Sequence, residues 1–222
     1  MSDQRPWLKN YPKGIPANID PDAYSSLVEM FDETFKKYAS KPAFSCMNKS
    51  ITFAELDKKS QQFGAYLHSR GLEAGDKIAL MMPNLLQYPI ALFGALRAGL
   101  VVVNTNPLYT PREMLHQFSD AGVKAIVIAE NFASNLEKVI GDTAIKTVIV
   151  TSIGELLGSI KGKVVNFVVR NVKGMVPKYN IPNTVSFKEA LSHNETLLTL
   201  DISWNHFRTN GAVALAEGVQ VG

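Results

Sequence analysis

Polar residues stand directly after apolar runs at three places: Asn84 after "KIALMMP", Asn104, Thr105 and Asn106 after "LVVV", and Glu130 with Asn131 after "KAIVIA". If those runs are strands of an open α/β sheet, these side chains lie at the carboxyl ends, where ligands gather. Amide, hydroxyl and carboxylate groups there can orient a ligand through hydrogen bonds. The same residue types also build turns and helix caps, and for each of them that structural role is the weightier expectation.

Other chemistry is less well supplied. "GELLGSIKGKV" has the residue types of a phosphate-binding loop, but Gly158 and Gly162 enclose three residues instead of four, and Val164 follows Lys163 where a serine or threonine is needed. No G-x-G-x-x-G fingerprint and no G-x-S-x-G elbow occur. His68, His116, His193 and His206 form no i, i+4 pair and have no cysteine cluster beside them, which argues against zinc. The single cysteine, Cys46, cannot close an intramolecular disulfide and reads as a structural thiol. No catalytic, cofactor-binding or metal-ligating residue is assigned.

The elements that would position these loops follow from periodicity. A helix is expected over "DPDAYSSLVEMFDETFKKYA", capped by Asp20 with Pro21 in its first turn, and with Tyr24, Leu27, Val28, Phe31, Phe35 and Tyr38 on one face. Thr52 with Glu55, and Thr110 with Glu113, have capping-box spacing, while Gly71, Gly99 and Gly122 are placed to end helices. Strands "DKIALMM", "LVVVN", "KAIVIA" and "KTVIVT" alternate with helices, the last of them at "NFASNLEKVI". That alternation predicts an α/β fold with a mostly parallel sheet flanked by helices, built from right-handed βαβ units.

The chain has 222 residues, of which 46% are hydrophobic, enough for a sizeable core. A formal charge of +3, from 23 basic and 20 acidic residues, does not favour a nucleic-acid partner. The polar start "MSDQRPWLKN" lacks the apolar stretch of a secretory signal, so a reducing, cytoplasmic setting is expected. The long apolar region "IALMMPNLLQYPIALFGALRAGLVVV" is interrupted by Pro83, Asn84, Gln87, Pro89 and Arg97, which suits two buried strands flanking a buried helix better than a membrane span. Residues 160–176 differ in texture. At helical spacing Ile160, Val164, Phe167, Val168, Val172 and Met175 share one arc, with Lys163, Arg170 and Lys173 away from it, a pattern compatible with peripheral contact on a membrane surface.

The run "KIALMMPNLLQYPIALFGALRAGLVVVNTNPLYTPREMLHQFSDAGVKAIVI" resembles the N-terminal subdomain of adenylate-forming enzymes, specifically bacterial long-chain fatty acyl-CoA synthetases. The resemblance extends from "WLKNYP" and "SLVEMF" to "KGKVVNFVVRNVKGMVPKYNIPNTVSFKEAL", over residues 7–191. It implies that fold, a fatty acid as substrate, and ATP, magnesium and coenzyme A as the partners that make an acyl-adenylate and then a thioester. With the amphipathic pattern of residues 160–176, the expected setting is cytoplasmic with peripheral contact on the inner membrane; oligomeric state stays open. The family's Ser/Thr/Gly-rich phosphate loop, its acidic ATP-contacting motifs and its C-terminal catalytic lysine lie downstream of the matching part, so none is carried over. A fragment of a fatty acid:CoA ligase, inactive alone, is therefore expected. A non-catalytic lipid- or protein-binding module is the alternative.

The end of the chain reads differently. In "LLTLDISWNHF", Leu197, Leu200, Ile202, Asn205 and Phe207 fit L-x-x-L-x-L-x-x-N-x-L, and "GAVALAEGV" resembles the helix of a ribonuclease-inhibitor-type leucine-rich repeat. One repeat cannot bury its own apolar face. The expected organisation is thus residues 1–191 as the synthetase-like region and residues 192–222 as a single foreign repeat-like segment. A leucine-rich-repeat interaction protein that has lost its neighbouring repeats is a further alternative.

Overall fold

The computed structural model describes residues 5–192. The repeat-like segment, with His193 and His206, lies outside them. A first helix, α1 (Leu27–Lys37), leads into a hairpin of β1 (Pro42–Cys46) and β2 (Lys49–Thr52), then α2 (Phe53–Ser69). The α/β series follows: β3 (Lys77–Met81), α3 (Gln87–Arg97), β4 (Val101–Asn104), α4 (Pro111–Ala121), β5 (Val123–Ala129), α5 (Ala133–Glu137), β6 (Thr147–Thr151), α6 (Ser159–Phe167), β7 (Val185–Ser186) and α7 (Phe187–Ser192).

The main sheet has the order β4-β3-β5-β6-β7 and every pairing in it is parallel. Alternation along the strands divides the core into two layers. Ile78, Leu80, Ala125, Val127 and Ile149 pack with α1, α2, α3 and α7. Ala79, Met81, Ile126, Ile128 and Val148 pack with Met114 and Phe118 of α4 and Leu136 of α5. Because both faces of β3, β5 and β6 are covered, these strands are apolar at consecutive positions, which is why they read as continuous runs. Among the described residues no helix is long and apolar enough to cross a membrane.

Both capping-box expectations match the structure. Thr52 Oγ1 accepts from Glu55 N at 3.2 Å while Glu55 Oε2 accepts from Thr52 N at 2.8 Å, and the Thr110–Glu113 pair repeats this at 3.4 and 2.8 Å. Gly122 closes α4 at φ 66°, a left-handed conformation suited to glycine. The first helix starts later than Asp20. Ser26 is its cap, accepting from Glu29 N at 3.1 Å, whereas Asp20 Oδ1 accepts from Asp22 N in a local turn, so Pro21 and Tyr24 precede the helix. The expected helix at "NFASNLEKVI" is broken into 3-10 turns around the short α5.

Arg97, at the last turn of α3, ties three helices together. Its Nη2 lies 2.6 Å from both Asp32 of α1 and Asp57 of α2, its Nε donates to Ser60 Oγ at 3.0 Å, and its guanidinium sits 5.0 Å from the Phe31 ring centroid. The carboxylates are partly solvated, so the gain is smaller than for a dry network. Arg97→Met is expected to cost about 2 kcal/mol in urea unfolding, and a double-mutant cycle with Asp57→Ala should show coupling of about 1 kcal/mol.

Candidate functional site at the carboxyl edge of the sheet

The chain leaves β3 for β4 on one side and returns past β3 to β5 on the other, with α3 and α4 on opposite faces. The reversal lies between β3 and β5. At such a switch point the loops diverge and leave a crevice above the carboxyl ends. Asn84 follows β3, and Glu130 with Asn131 follows β5, so these three border it. Asn104 ends β4, and Thr105 and Asn106 follow it, at the sheet's edge, one strand away.

Most of these side chains serve the scaffold. Asn106 Oδ1 accepts from Leu108 N at 3.0 Å in an Asx turn, and Asn104 Oδ1 accepts from Tyr88 Oη at 2.8 Å. Thr105 is buried and its N continues the ladder to Leu80 O at 3.0 Å. Asn84 is exposed, and its carbonyl receives the Cys46 thiol at 3.6 Å, which gives that cysteine a structural contact.

Glu130, buried to 5% exposure, takes a forked ion pair from Arg170, with Nε at 3.0 and 3.1 Å and Nη2 at 2.7 Å. The Glu130 carboxylate holds the guanidinium above its ordinary pKa. Burial first, and then Glu130, push the Tyr179 phenol up as well. Asn131 Nδ2 donates to Met175 O at 3.0 Å, leaving its buried Oδ1 without a partner among the described residues. Arg170 sits in a π-helical turn, Val168–Val172, that continues α6. Half-exposed, it is tied to Glu130 at the sheet's edge, whereas its spacing alone groups it with Lys163 and Lys173 away from the apolar arc.

Sequence reading missed a second polar cluster, at the end of β6. Buried Gln87 donates Nε2 to Thr151 Oγ1 and to Ser152 O, both at 2.9 Å. The Thr151 hydroxyl donates to Glu155 Oε2 at 2.5 Å, and Glu155 Oε1 accepts from Lys188 N at 2.9 Å in the first turn of α7. Asn166 of α6 completes it, donating to Ser152 Oγ at 2.9 Å and accepting from Gly154 N at 2.7 Å. The available signal was Gln87 inside an otherwise apolar helix; its partners are 64 and 65 residues away. Also missed were β7, α7 and the β1–β2 hairpin, whose turn residues Met47 and Asn48 both have positive φ. Among the described residues no three His, Cys, Asp or Glu side chains converge.

Residues 31–187 match the family model for AMP-binding enzymes, and residues 193–216 match a leucine-rich-repeat model. The chain is 49% identical to a long-chain-fatty-acid–CoA ligase of Escherichia coli O6:H1 (strain CFT073), over 97% of this chain and 40% of that protein. A protein of the same description from Haemophilus influenzae is 51% identical over 84% of this chain and 33% of its own length. The chain thus spans about 40% or less of the curated relatives named here. Among solved structures, an anthranilate CoA ligase bound to anthranoyl-AMP aligns at TM-score 0.60 with 16% identity, over 76% of this chain and 28% of that one. A long-chain-fatty-acid–CoA ligase from Archaeoglobus fulgidus aligns at 0.57 with 22% identity, over 70% and 32%. These structures share the fold.

Proposed function

Because the chain belongs to the AMP-binding enzyme family, we propose that it is the first part of an ATP-dependent, AMP-forming ligase that joins a long-chain fatty acid to coenzyme A, and that alone it does not complete that reaction. The observation that carries this reading is 49% identity to a long-chain-fatty-acid–CoA ligase across only 40% of that protein's length. A carboxylate is a poor electrophile, and adenylation gives it a good leaving group when donors and cations offset the phosphate charge. The described residues do not fit a triphosphate: at the carboxyl edge Gln87, Thr151 and Asn166 are engaged with one another's partners, Arg170 is held by Glu130, and two carboxylates add negative charge. No reaction step is assigned to them. The purified chain is expected to release no AMP above background when given oleate, ATP, magnesium and coenzyme A; sustained fatty-acid-dependent AMP release would overturn the reading.

For residues 193–216 we propose a joined leucine-rich-repeat segment, supported by the repeat model. Coverage of 97% by the Escherichia coli relative is the opposing observation, because it requires an alignment that enters this segment. Sequencing the gene and transcript across residues 183–195 decides between them: an uninterrupted ligase reading frame would sink the joined segment.

A second reading concerns residues 160–176, which we propose as a contact with an anionic membrane surface. Ile160 is 79% exposed and Val172 67%, with Val164, Phe167 and Met175 also open to solvent, while Gly162 and Val169 face inward. Exposed apolar side chains on one side of a helix, near lysines, suit the headgroup boundary of a bilayer. Replacing Lys163 and Lys173 with glutamine is expected to weaken sedimentation with anionic vesicles by about thirtyfold, at roughly 1 kcal/mol per lysine.

A further inference from the structure

Residues 77–112 contain no acidic residue and only three basic ones, whereas two further acid-free stretches are rich in lysine: residues 34–54 and residues 156–188. Ten of the 23 basic residues fall in these two, leaving thirteen basic against twenty acidic residues elsewhere. A chain with a net charge of only +3 therefore separates its charge strongly along its length.

The fold brings these two stretches into contact. Lys161, in the first turn of α6, donates its Nζ to the carbonyl of Met47 at the tip of the β1–β2 turn. Beside the exposed Ile160, Val164 and Phe167 this adds Met47, 47% exposed, and Phe44, 40% exposed, flanked by the exposed Lys41 and Lys49. Large apolar side chains gathered among lysines of these two stretches match a bilayer, which offers both anionic headgroups and an apolar interior. A soluble polyanion would match only the lysines.

We infer that the tip of the β1–β2 hairpin and the exposed face of α6 form one two-part contact surface for an anionic lipid bilayer, with Met47 entering the headgroup region next to Ile160. The inference rests on the reading of residues 160–176 as a lipid contact and adds a second, sequence-distant element to it. Its position has a consequence for the crevice. The hairpin touches the loop after β3 through Cys46 and Asn84, and the α6 segment touches the loop after β5 through Arg170 with Glu130 and Met175 with Asn131. Both lipid-facing elements are thus attached to the two loops that border the switch point, which sets that crevice beside the membrane surface and its amphiphiles.

The test is sedimentation of the full chain with vesicles of phosphatidylcholine containing phosphatidylglycerol, and with phosphatidylcholine alone. Binding to the anionic vesicles is expected. Met47→Asp should weaken it by about tenfold, since it removes an apolar insertion and adds a repelled charge. Aspartate tolerates the left-handed conformation at this turn, so an unchanged urea midpoint is expected. Lys49→Glu, on the exposed strand beside it, should weaken binding by a similar factor. If Phe167→Asp abolishes binding while Met47→Asp and Lys49→Glu leave it unchanged, the hairpin is no part of the contact and the inference falls, with the reading of residues 160–176 intact. Failure of the parent chain to bind anionic vesicles, or equal binding to both vesicle types, overturns both.

Discussion

Gly162→Ala is expected to lower the unfolding free energy by about 3 kcal/mol, against the direction that helix propensity predicts. Gly162 lies in the first turn of α6, where alanine is ordinarily favoured over glycine by up to about 1 kcal/mol. Packing decides otherwise. A Cβ at this position would stand 2.3 Å from the carbonyl oxygen of Gly154, and a Cβ on Gly154 would stand 2.4 Å from the carbonyl oxygen of Gly162 and 2.7 Å from Asn166 Oδ1. The obstacle is backbone in both directions, so no rotamer change relieves it, and α6 must move off the loop after β6. That movement also stretches the Asn166 bonds to Gly154 N and Ser152 Oγ that hold the helix over the carboxyl edge. Urea unfolding with an unchanged m-value reads the loss. Gly141→Ala is the control: a Cβ there meets nothing within 4 Å and the backbone is not left-handed, so stability should rise by about 0.4–1 kcal/mol. A stabilised Gly162→Ala chain would show that α6 does not sit on Gly154 at this distance.

Phe63→Ala is expected to cost about 3–5 kcal/mol, the range for removing a fully buried phenylalanine. Phe63 on α2 has no exposed surface and lies between α3 and α7, with the Phe187 ring centroid 5.1 Å away. Its fit on the α3 side is tight, since a Cβ added to Gly94 would come within 2.8 Å of the Phe63 ring. The helices are held apart by further contacts around the site, including Arg97 on Ser60, so the cavity should collapse little and the cost should fall high in the range. Leu108→Ala, at a residue 81% exposed, should change stability by less than about 0.5 kcal/mol. Equal midpoints for the two variants would contradict the layered core.

Much of the architecture was legible because its causes are local. The capping boxes at Thr52 and Thr110, Gly122 after α4, and the four apolar strand runs each act within a few residues, so spacing alone places them. The helix expected from Asp20 shows the limit of that logic: two acceptable caps compete, and Ser25 and Ser26 win because Glu29 answers both. Asn84, Glu130 and Asn131 were likewise placed correctly at strand ends, yet nothing in their neighbours indicated which would be engaged.

By itself the sequence determined the parallel α/β series, the apolar strands covered on both faces, the loops at their carboxyl ends and the family resemblance, since periodicity and caps act over short distances. The tertiary structure decided which of those loops share the switch point, that Arg170 faces Glu130 across 40 residues, that Gln87 reaches Thr151 across 64, and that the hairpin tip meets α6 across 114. Those pairings depend on strand order and helix placement, where burial of the whole core outweighs the preference of any single segment.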